Sequence, residues 1–255
     1  MQLAVTRQVS PSIVDCELTY LTREPIDVAR ARRQHAQYEA ALRDLGVAVL
    51  SLPEEPDLPD SVFVEDTALV LNECAIILRP GAASRRAETE SIARILAPFR
   101  KLLHIQAPAR LDGGDILRVR QHIYVGLTRR SDTNSIEQMQ EMLVPFGYDV
   151  RPVQITGCLH LKSAVTEAAQ DVLLLNPNWV DRGAFESVKI VEIDPSEPHA
   201  ANVLRINETA IYDGAAFPRT RARLDLLGIR IVVLEADELA KAEGALTCCS
   251  LILSI

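Results

Sequence analysis

The chain has 255 residues, 48% hydrophobic and 24% charged, which is typical of a globular protein with a sizeable core. Its net charge of −8 argues against a general nucleic-acid binder and is compatible with a cationic substrate, or simply with solubility. No apolar run approaches the ~20 residues of a membrane span. The first residues lack the apolar core of a signal peptide, and the five cysteines form no disulfide framework, so we expect a reducing, cytoplasmic compartment.

The predicted elements begin and end with parts of one module. Strands are predicted at 2–6 and 47–50, on either side of a long helix over 27–45, and a strand at 250–253 completes this module. The first complete module along the chain has strands at 67–71, 75–78 and 102–105. Its helix starts near Ser84, the predicted N-cap, and runs towards Leu96.

Three further modules repeat this order. The second has strands at 115–119 and 122–125 that end at Gly126, then a helix over 135–143 with Gly147 past its end. The third has strands at 172–175 and 190–193 and a helix near 183–188, and the fourth has strands at 203–206, 210–212 and 229–234 and a helix over 218–227. Pairing of the first and last strands in one blade predicts a circular array in a single domain, 1–255.

A short polar signature precedes each pair of strands, at intervals of about 40 to 50 residues, which is the range of propeller and solenoid repeats. The signatures start at Phe63, Leu111, Leu159, Ala200 and Leu246. Their corresponding polar residues are Asp66, Asp112, His160, Asn202 and Cys248. If the modules surround an axis, these side chains converge at one end of it.

Cys248 and Cys249 precede an apolar strand, where alternation directs only one of the two thiols into an axial site. A thiol acts as a nucleophile when it is ionised and accessible, whereas two buried cysteines that begin a core strand are the simpler interpretation of this pair alone. His160, between two leucines, would by itself be a core residue, but the repeat places it where Cys248 is placed, which favours acid–base catalysis.

The acidic signatures suit a guanidinium ligand. Asp112-Gly-Gly-Asp115 and Glu65-Asp66 combine carboxylates with flexible residues, although Asp-Gly is also typical of a tight turn. Arg85 and Arg130 follow second strands and are either ligands for a substrate carboxylate or solvated charges. A Cys/His/Asp zinc site remains an alternative without the usual local ligand pairs, and neither a P-loop nor a GxGxxG motif is present.

Together the segments resemble the dimethylarginine dimethylaminohydrolase family of the pentein, or guanidine-modifying, superfamily. The matching segments are Phe63-Val-Glu-Asp66, Arg79-Pro-Gly-Ala82 with Ser84-Arg-Arg86, Leu111-Asp-Gly-Gly-Asp115, Leu159-His-Leu-Lys-Ser163, Ala200-Ala-Asn202 and Leu246-Thr-Cys-Cys-Ser250. The similarity covers nearly the whole chain. It implies an α/β fold, a five-bladed α/β propeller of ββαβ modules, in agreement with the module count.

The resemblance also implies roles for individual residues. Cys248 is expected to be the nucleophile and His160 the general acid/base, with Asp112 orienting it and binding the guanidinium. The expected substrate-binding residues are Leu18, Asp60, Glu65, Asp66, Arg85, Arg130 and Ala242; Leu18 and Ala242 act through their carbonyls. Two positions depart from the family pattern: Arg129 competes with Arg130, and Cys158 has no assigned role.

The implied reaction is hydrolysis of asymmetric Nω-methylated arginine to citrulline and an alkylamine through a covalent S-alkylthiouronium, with no metal or organic cofactor. The implied partner is therefore a small guanidinium amino acid, with neither nucleic acid nor membrane, and a homodimer is left open. Two alternatives remain: an arginine deiminase-like hydrolase that releases ammonia, and a non-catalytic propeller that binds a ligand.

Overall fold

A computed structural model covers residues 1–255 of the protein, which contains five three-stranded sheets. In chain order the strands are β1 (Gln2–Arg7), β2 (Ala48–Leu52), β3 (Ala68–Val70), β4 (Cys74–Ile77), β5 (Lys101–His104), β6 (Ile116–Val119), β7 (His122–Leu127), β8 (Asp149–Gln154), β9 (Val165–Ala169), β10 (Val172–Leu175), β11 (Lys189–Glu192), β12 (Val203–Ile206), β13 (Thr209–Tyr212), β14 (Arg230–Val233) and β15 (Leu251–Ser254). The helices are α1 (Val28–Asp44), α2 (Glu88–Leu96), α3 (Thr133–Leu143), α4 (Leu161–Ala164), α5 (Pro218–Asp225) and α6 (Asp237–Ala240).

Each sheet is one blade with the same strand order. Blades 1 to 4 are β3-β4-β5, β6-β7-β8, β9-β10-β11 and β12-β13-β14, and blade 5 is β15-β1-β2. In every blade the first and second strands are antiparallel, and the second and third are parallel. The parallel pair needs a crossover connection, which a helix provides in four of the blades.

Strand composition explains the order within a blade. The second strand lies in the middle, is covered on both faces and is almost wholly apolar, as in β4 (Cys-Ala-Ile-Ile) and β13 (Thr-Ala-Ile-Tyr). The third strand is at the outer edge and carries charged, exposed residues, as in β5 (Lys-Leu-Leu-His). Charges on an exposed edge discourage pairing with another chain.

Five apolar clusters lie between neighbouring blades and join them into a ring. They connect blades 1 and 2, 2 and 3, 3 and 4, 4 and 5, and 5 and 1. The ring depends on the chain ends, because β1 and β15 pair antiparallel with Leu3 opposite Leu253. The predicted five-bladed α/β propeller and its pairing of the N- and C-terminal strands are therefore confirmed.

Some local predictions were wrong. The helix expected near 183–188 in blade 3 is only a 3₁₀ turn at Arg182–Ala184, because its few residues include a glycine and Ser187 has a left-handed φ of 57°. Ser84 is not an N-cap but lies inside a 3₁₀ turn that precedes α2. Strand β7 continues through Gly126 to Leu127, and α3 starts earlier, with Asp132 as its N-cap. Gly147 does end its segment, with a φ of 79°.

Four of the five polar signatures include short helical turns immediately before the first strands, and blade 4 has no such turn. These turns are Val64–Thr67, Gly113–Asp115, Leu161–Ala164 and Thr247–Cys249. Cys248 and Cys249 therefore lie in a turn, and the strand alternation used to separate their directions does not apply to them. No helix of the structure combines the length and apolar character that crossing a membrane requires.

Candidate active site

A small buried cavity lies among the turns of blades 1, 3 and 5. Seven of the residues predicted for the site line it: Asp60, Asp66, Arg85, Arg130, His160, Ala242 and Cys248. Its other lining residues are Glu17, Phe63, Leu159, Glu243 and Gly244. Its volume of about 10 Å³ leaves room for roughly one water, so a larger ligand requires movement of the walls. A second cavity of about 680 Å³ shares Leu159, Glu243 and Gly244 with it.

His160 is held as a charged imidazolium by acidic neighbours. Its Nε2 lies 3.0 Å from Oδ2 of Asp112. Asp112 contacts the imidazole but does not itself line the cavity. Burial by itself lowers the pKa of His160, but the carboxylates of Asp66, Asp115 and Asp112 outweigh it and raise this pKa to about 9. The ring therefore has a proton to donate at neutral pH.

Two residues of the Asp112-Gly-Gly-Asp115 motif, Gly114 and Asp115, determine how the backbone packs around the imidazole of His160. A Cβ at Gly114 would lie 2.5 Å from Nδ1 of His160, so only glycine allows the imidazole to lie against this turn. Asp115 accepts hydrogen bonds from the N–H of Leu161 and the hydroxyls of Thr128 and Ser131, which fixes the turn that follows His160.

Cys248 lines the cavity, whereas Cys249 is fully buried beside it. Burial raises the pKa of the Cys248 thiol, and the carboxylates of Glu65 and Asp66 raise it further. The thiol is thus protonated at neutral pH, and a cation brought close to it would favour the thiolate. Cys158, which had no predicted role, donates its S–H to the carbonyl of His160 at 3.4 Å.

Glu65 lies behind the cavity in a polar network. Its carboxylate accepts from Lys162 Nζ at 2.6 Å and from the Thr247 hydroxyl at 3.1 Å. Burial raises the pKa of Glu65, and the nearby Lys162 ammonium opposes that shift. The Thr247 hydroxyl also accepts from the amide of Asn202, so the fourth signature supports the turn of the fifth. Lys162 and Thr247 were not predicted for the site, although both belong to the quoted motifs.

Arg85 is largely committed to protein partners. Its guanidinium donates to Asp66 at 2.6 Å, to both oxygens of Glu88, and to the carbonyls of Asp60 and Phe63. Burial raises the pKa of Asp66, but Arg85 and His160 oppose it and bring this pKa down to about 2. Glu88 was not predicted, although its position three residues after Arg85 on a helical turn was a usable signal.

Arg130, and not Arg129, reaches the cavity. Arg130 is buried, its Nη1 lies 3.8 Å from Oδ2 of Asp112, and its Nη2 donates to the Thr19 hydroxyl, whereas Arg129 is exposed.

Asp60 lines the cavity and accepts a hydrogen bond from the N–H of Glu17. Leu18 is not among the lining residues, although its neighbour Glu17 is, whereas Ala242 lines the wall directly.

Asp66, Asp112 and His160 place one ligand atom each within 4.8 Å of one another, which is a spacing that a cation could use. Cys248 is not part of this group, so the structure does not assemble the Cys/His/Asp zinc set considered from the sequence. Arg85 and the N–H of Gly114 already bind Asp66, and the N–H of Gly81 binds Asp112. Carboxylates held in this way suit a planar organic cation with several N–H donors.

Comparisons with known proteins show the family of the chain. The family model described as N,N dimethylarginine dimethylhydrolase, eukaryotic, matches residues 21–170. The chain is 36% identical over 249 residues to N(G),N(G)-dimethylarginine dimethylaminohydrolase of Pseudomonas aeruginosa, with 97% of each covered. It is 33% identical to the Streptomyces coelicolor protein of the same name, with 97% of this chain and 95% of the relative covered.

Solved structures give the same result. The Pseudomonas aeruginosa enzyme, as a Cys-to-Ser variant complexed with citrulline, superimposes with a TM-score of 0.93 at 36% identity over 98% of both chains. A dimethylarginine dimethylaminohydrolase variant carrying an adduct with S-methyl-L-thiocitrulline also has a TM-score of 0.93 at 36% identity, over 98% of this chain and 99% of that one. The N-terminal domain of ArgZ, an arginine dihydrolase of cyanobacteria, shares the fold, with a TM-score of 0.87 at 18% identity over 99% of this chain and 97% of that one.

A ring of five α/β blades with a thiol, an imidazole and carboxylates at one cavity defines a member of the pentein, or guanidine-modifying, superfamily. Within that superfamily, the chain belongs to the dimethylarginine dimethylaminohydrolase family.

Proposed function

We propose that this protein hydrolyses asymmetric Nω-methylated L-arginine, both dimethylarginine and monomethylarginine, to L-citrulline and an alkylamine. The observation that carries the proposal is the single buried cavity lined by Cys248, His160 and Asp66, far apart in sequence and contributed by three blades. The relatives named for this activity support it at 36% and 33% identity.

Charge complementarity supports an orientation for the substrate. The guanidinium is cationic and planar; Asp66, which lines the cavity, fixes its plane, and Asp112 and Glu65, behind the cavity wall, balance its charge. Arg130 binds the substrate carboxylate, with Arg85 contributing the N–H donor that its protein partners leave unused. Asp60 and the carbonyls of Leu18 and Ala242 accept from the α-ammonium group.

Catalysis follows from the protonation states. As the substrate cation binds, it lowers the cost of ionising Cys248, whose thiol releases its proton to water, and the sulfur attacks the guanidinium carbon. His160 donates its proton to the alkylated nitrogen, the C–N bond breaks, and the amine leaves behind a covalent S-alkylthiouronium on Cys248. The now neutral His160, oriented by Asp112, removes a proton from water as the water attacks the same carbon. Cleavage of the C–S bond releases citrulline and restores the thiol.

The direct test supplies arginine, monomethylarginine and dimethylarginine separately and identifies the amine released. We expect methylamine from monomethylarginine and dimethylamine from dimethylarginine, and no turnover by Cys248→Ser although ligand binding is kept. Ammonia from arginine as the main product would instead indicate an arginine deiminase-like hydrolase. Binding without turnover of any of the three would indicate a non-catalytic propeller.

The setting of this activity is also part of the proposal. Residues 1–255 act as one catalytic domain, because residues from several blades must meet to complete the site. A reducing cytoplasmic compartment suits a nucleophilic thiol and four other unpaired cysteines. The partner is the small guanidinium amino acid alone, with no cofactor, and a homodimer stays a prediction.

A further inference from the structure

Glu243 makes an unusual set of contacts beside the cavity. Its carboxylate accepts hydrogen bonds from three consecutive backbone N–H groups: those of Thr19 at 2.9 Å, Tyr20 at 2.5 Å and Leu21 at 2.7 Å. The loop it binds is more than 220 residues away in sequence. The side chain of Glu243 thus ties the loop around Leu18 to the segment that contains Ala242.

The carboxylate of Glu243 sets the direction of the Leu18 carbonyl, and the backbone N–H of Glu243 sets the direction of the Ala242 carbonyl. The N–H of Thr19 and the carbonyl of Leu18 belong to one trans peptide unit, so the carbonyl points away from the Glu243 carboxylate. The N–H of Glu243 donates to the carbonyl of Ala240 at 3.0 Å, so the Ala242 carbonyl of that peptide points away from Ala240. Neither carbonyl accepts a hydrogen bond from the protein, so both are available as acceptors.

The backbone at Glu243 is held in a conformation that side chains disfavour. Its φ of 56° lies in the left-handed region, where residues with a Cβ are uncommon. A Cβ on the next residue, Gly244, would lie 2.2 Å from the ring of Phe63, which also lines the cavity. The segment is therefore fixed closely against the cavity wall, and such strain persists where surrounding contacts maintain it.

The same loop reaches the other polar end of the proposed substrate. The hydroxyl of Thr19 accepts from Nη2 of Arg130 at 3.1 Å, and Arg130 approaches Asp112 behind His160. Glu243 thus holds one short segment that both presents the Leu18 carbonyl and contacts the arginine proposed for the substrate carboxylate.

We propose that Glu243 is the positioning residue for the amino-acid end of the substrate, and that its hold on residues 19–21 makes the site select guanidines with a free α-ammonium group. This inference rests on the proposed function. The carboxylate of Glu243 acts through the carbonyl of Leu18, which joins the carbonyl of Ala242 in offering two acceptors to one cation.

The test compares two ligands in the non-reacting Cys248→Ser background by calorimetry: dimethylarginine, and its analogue with hydrogen in place of the α-amino group. Glu243→Gly removes the carboxylate and suits the left-handed backbone, so the fold is kept. We expect it to weaken dimethylarginine binding about 10- to 100-fold, the range for the one charge-assisted hydrogen bond made by the Leu18 carbonyl, with a much smaller effect on the analogue. Glu243→Gln keeps one acceptor oxygen and should lie between.

The matched control is Asp171→Gly. Asp171 is another acidic residue with a left-handed φ, of 60°, but its carboxylate binds Arg120 far from the cavity. This variant should keep the affinity ratio of the two ligands. The inference is overturned if Glu243→Gly binds neither ligand, or if it leaves the ratio of the two affinities unchanged, whether both affinities are kept or both fall equally. Failure of the proposed function is separately visible as an absence of amine release by the protein with Cys248 intact.

Discussion

At the scale of single residues, the proposed nucleophile and the proposed acid have protonation states that a bound cation would change. His160 is charged because the carboxylates of Asp66, Asp115 and Asp112 raise its pKa, and Cys248 is a neutral thiol because burial, with Glu65 and Asp66, raises its pKa. An excess of negative charge therefore replaces the thiolate–imidazolium pair that many cysteine enzymes hold in advance. A cationic guanidinium relieves that excess, so binding and activation of the thiol are linked.

The elevated pKa of His160 predicts a specific pH dependence of stability. The pKa is about 9 in the folded protein and near 6.5 in the unfolded chain, so the folded state binds this proton more tightly. Its stabilisation is complete below about pH 6.5 and is lost as the pH rises through 9, by on the order of 3 kcal/mol. Urea unfolding at about pH 6 and about pH 9.5 should show this loss in the unmutated protein and not in His160→Gln. Equal losses in both would contradict a charged imidazolium at His160 in the folded protein.

The sequence predicted which residues line the cavity but not all of the contacts that hold them. The motifs identified the residues that line the cavity, because repeat position and chemistry coincide at Asp66, His160 and Cys248. They did not indicate that Glu88 accepts two of the five hydrogen bonds that Arg85 donates, since a carboxylate three residues along a helical turn is also common on protein surfaces. The burial that makes this pair significant is a tertiary property.

At the scale of elements, the short helical turn before the first strand of a blade carries the chemistry. Asp66 and Cys248 lie within such turns, and Asp112 and His160 directly precede them, so the strand that follows is free to pack. The turn Gly113–Asp115 is tightest, because backbone and side-chain atoms of Glu65, Asp66 and His160 lie where Cβ atoms would be.

Gly114→Ala tests this packing. Its Cβ would lie 2.5 Å from Nδ1 of His160 and 3.1 Å from Oδ1 of Asp66, so the imidazole must move. A displacement near 1 Å typically lowers turnover about 100-fold, and we expect that loss in kcat for amine release. Gly183→Ala is the matched control, since its nearest neighbour is a side-chain oxygen of Asp181 on the surface, at 3.2 Å. Turnover by Gly114→Ala within about twofold of the control would refute the role of this turn.

Most strands were predictable from the sequence, but β9 (Val165–Ala169) was not assigned from it, and some helices were not predictable. The buried central strands are short apolar runs bounded by turn residues, and their positions agree with prediction within one or two residues. The third blade was the exception, because a six-residue segment with one glycine satisfies a helical pattern without the length to stabilise a helix. The position of Cys248 in a turn was missed because the apolar run after it masks where the strand starts.

At the scale of the whole molecule, the ring is what creates the site. Asp66 comes from blade 1, Asp112 from blade 2, His160 from blade 3 and Cys248 from blade 5, and no single blade contains two of these four. Pairing of β1 with β15 joins the chain ends in the blade that carries Cys248. The pattern of repeats made this meeting predictable from the sequence, whereas the small volume of the cavity was not, since it depends on the loops that surround it.

The proposed mechanism requires a covalent bond between the sulfur of Cys248 and the guanidinium carbon, formed as the alkylated nitrogen leaves. Mass spectrometry of acid-quenched enzyme, taken during turnover of dimethylarginine and separately of monomethylarginine, tests it most directly. We expect a mass gain on the peptide that contains Cys248. This gain should be identical for both substrates, because the methyl groups depart with the amine, and absent in Cys248→Ser. A gain that retains the methyl groups, or turnover with Cys248 unmodified, would contradict it.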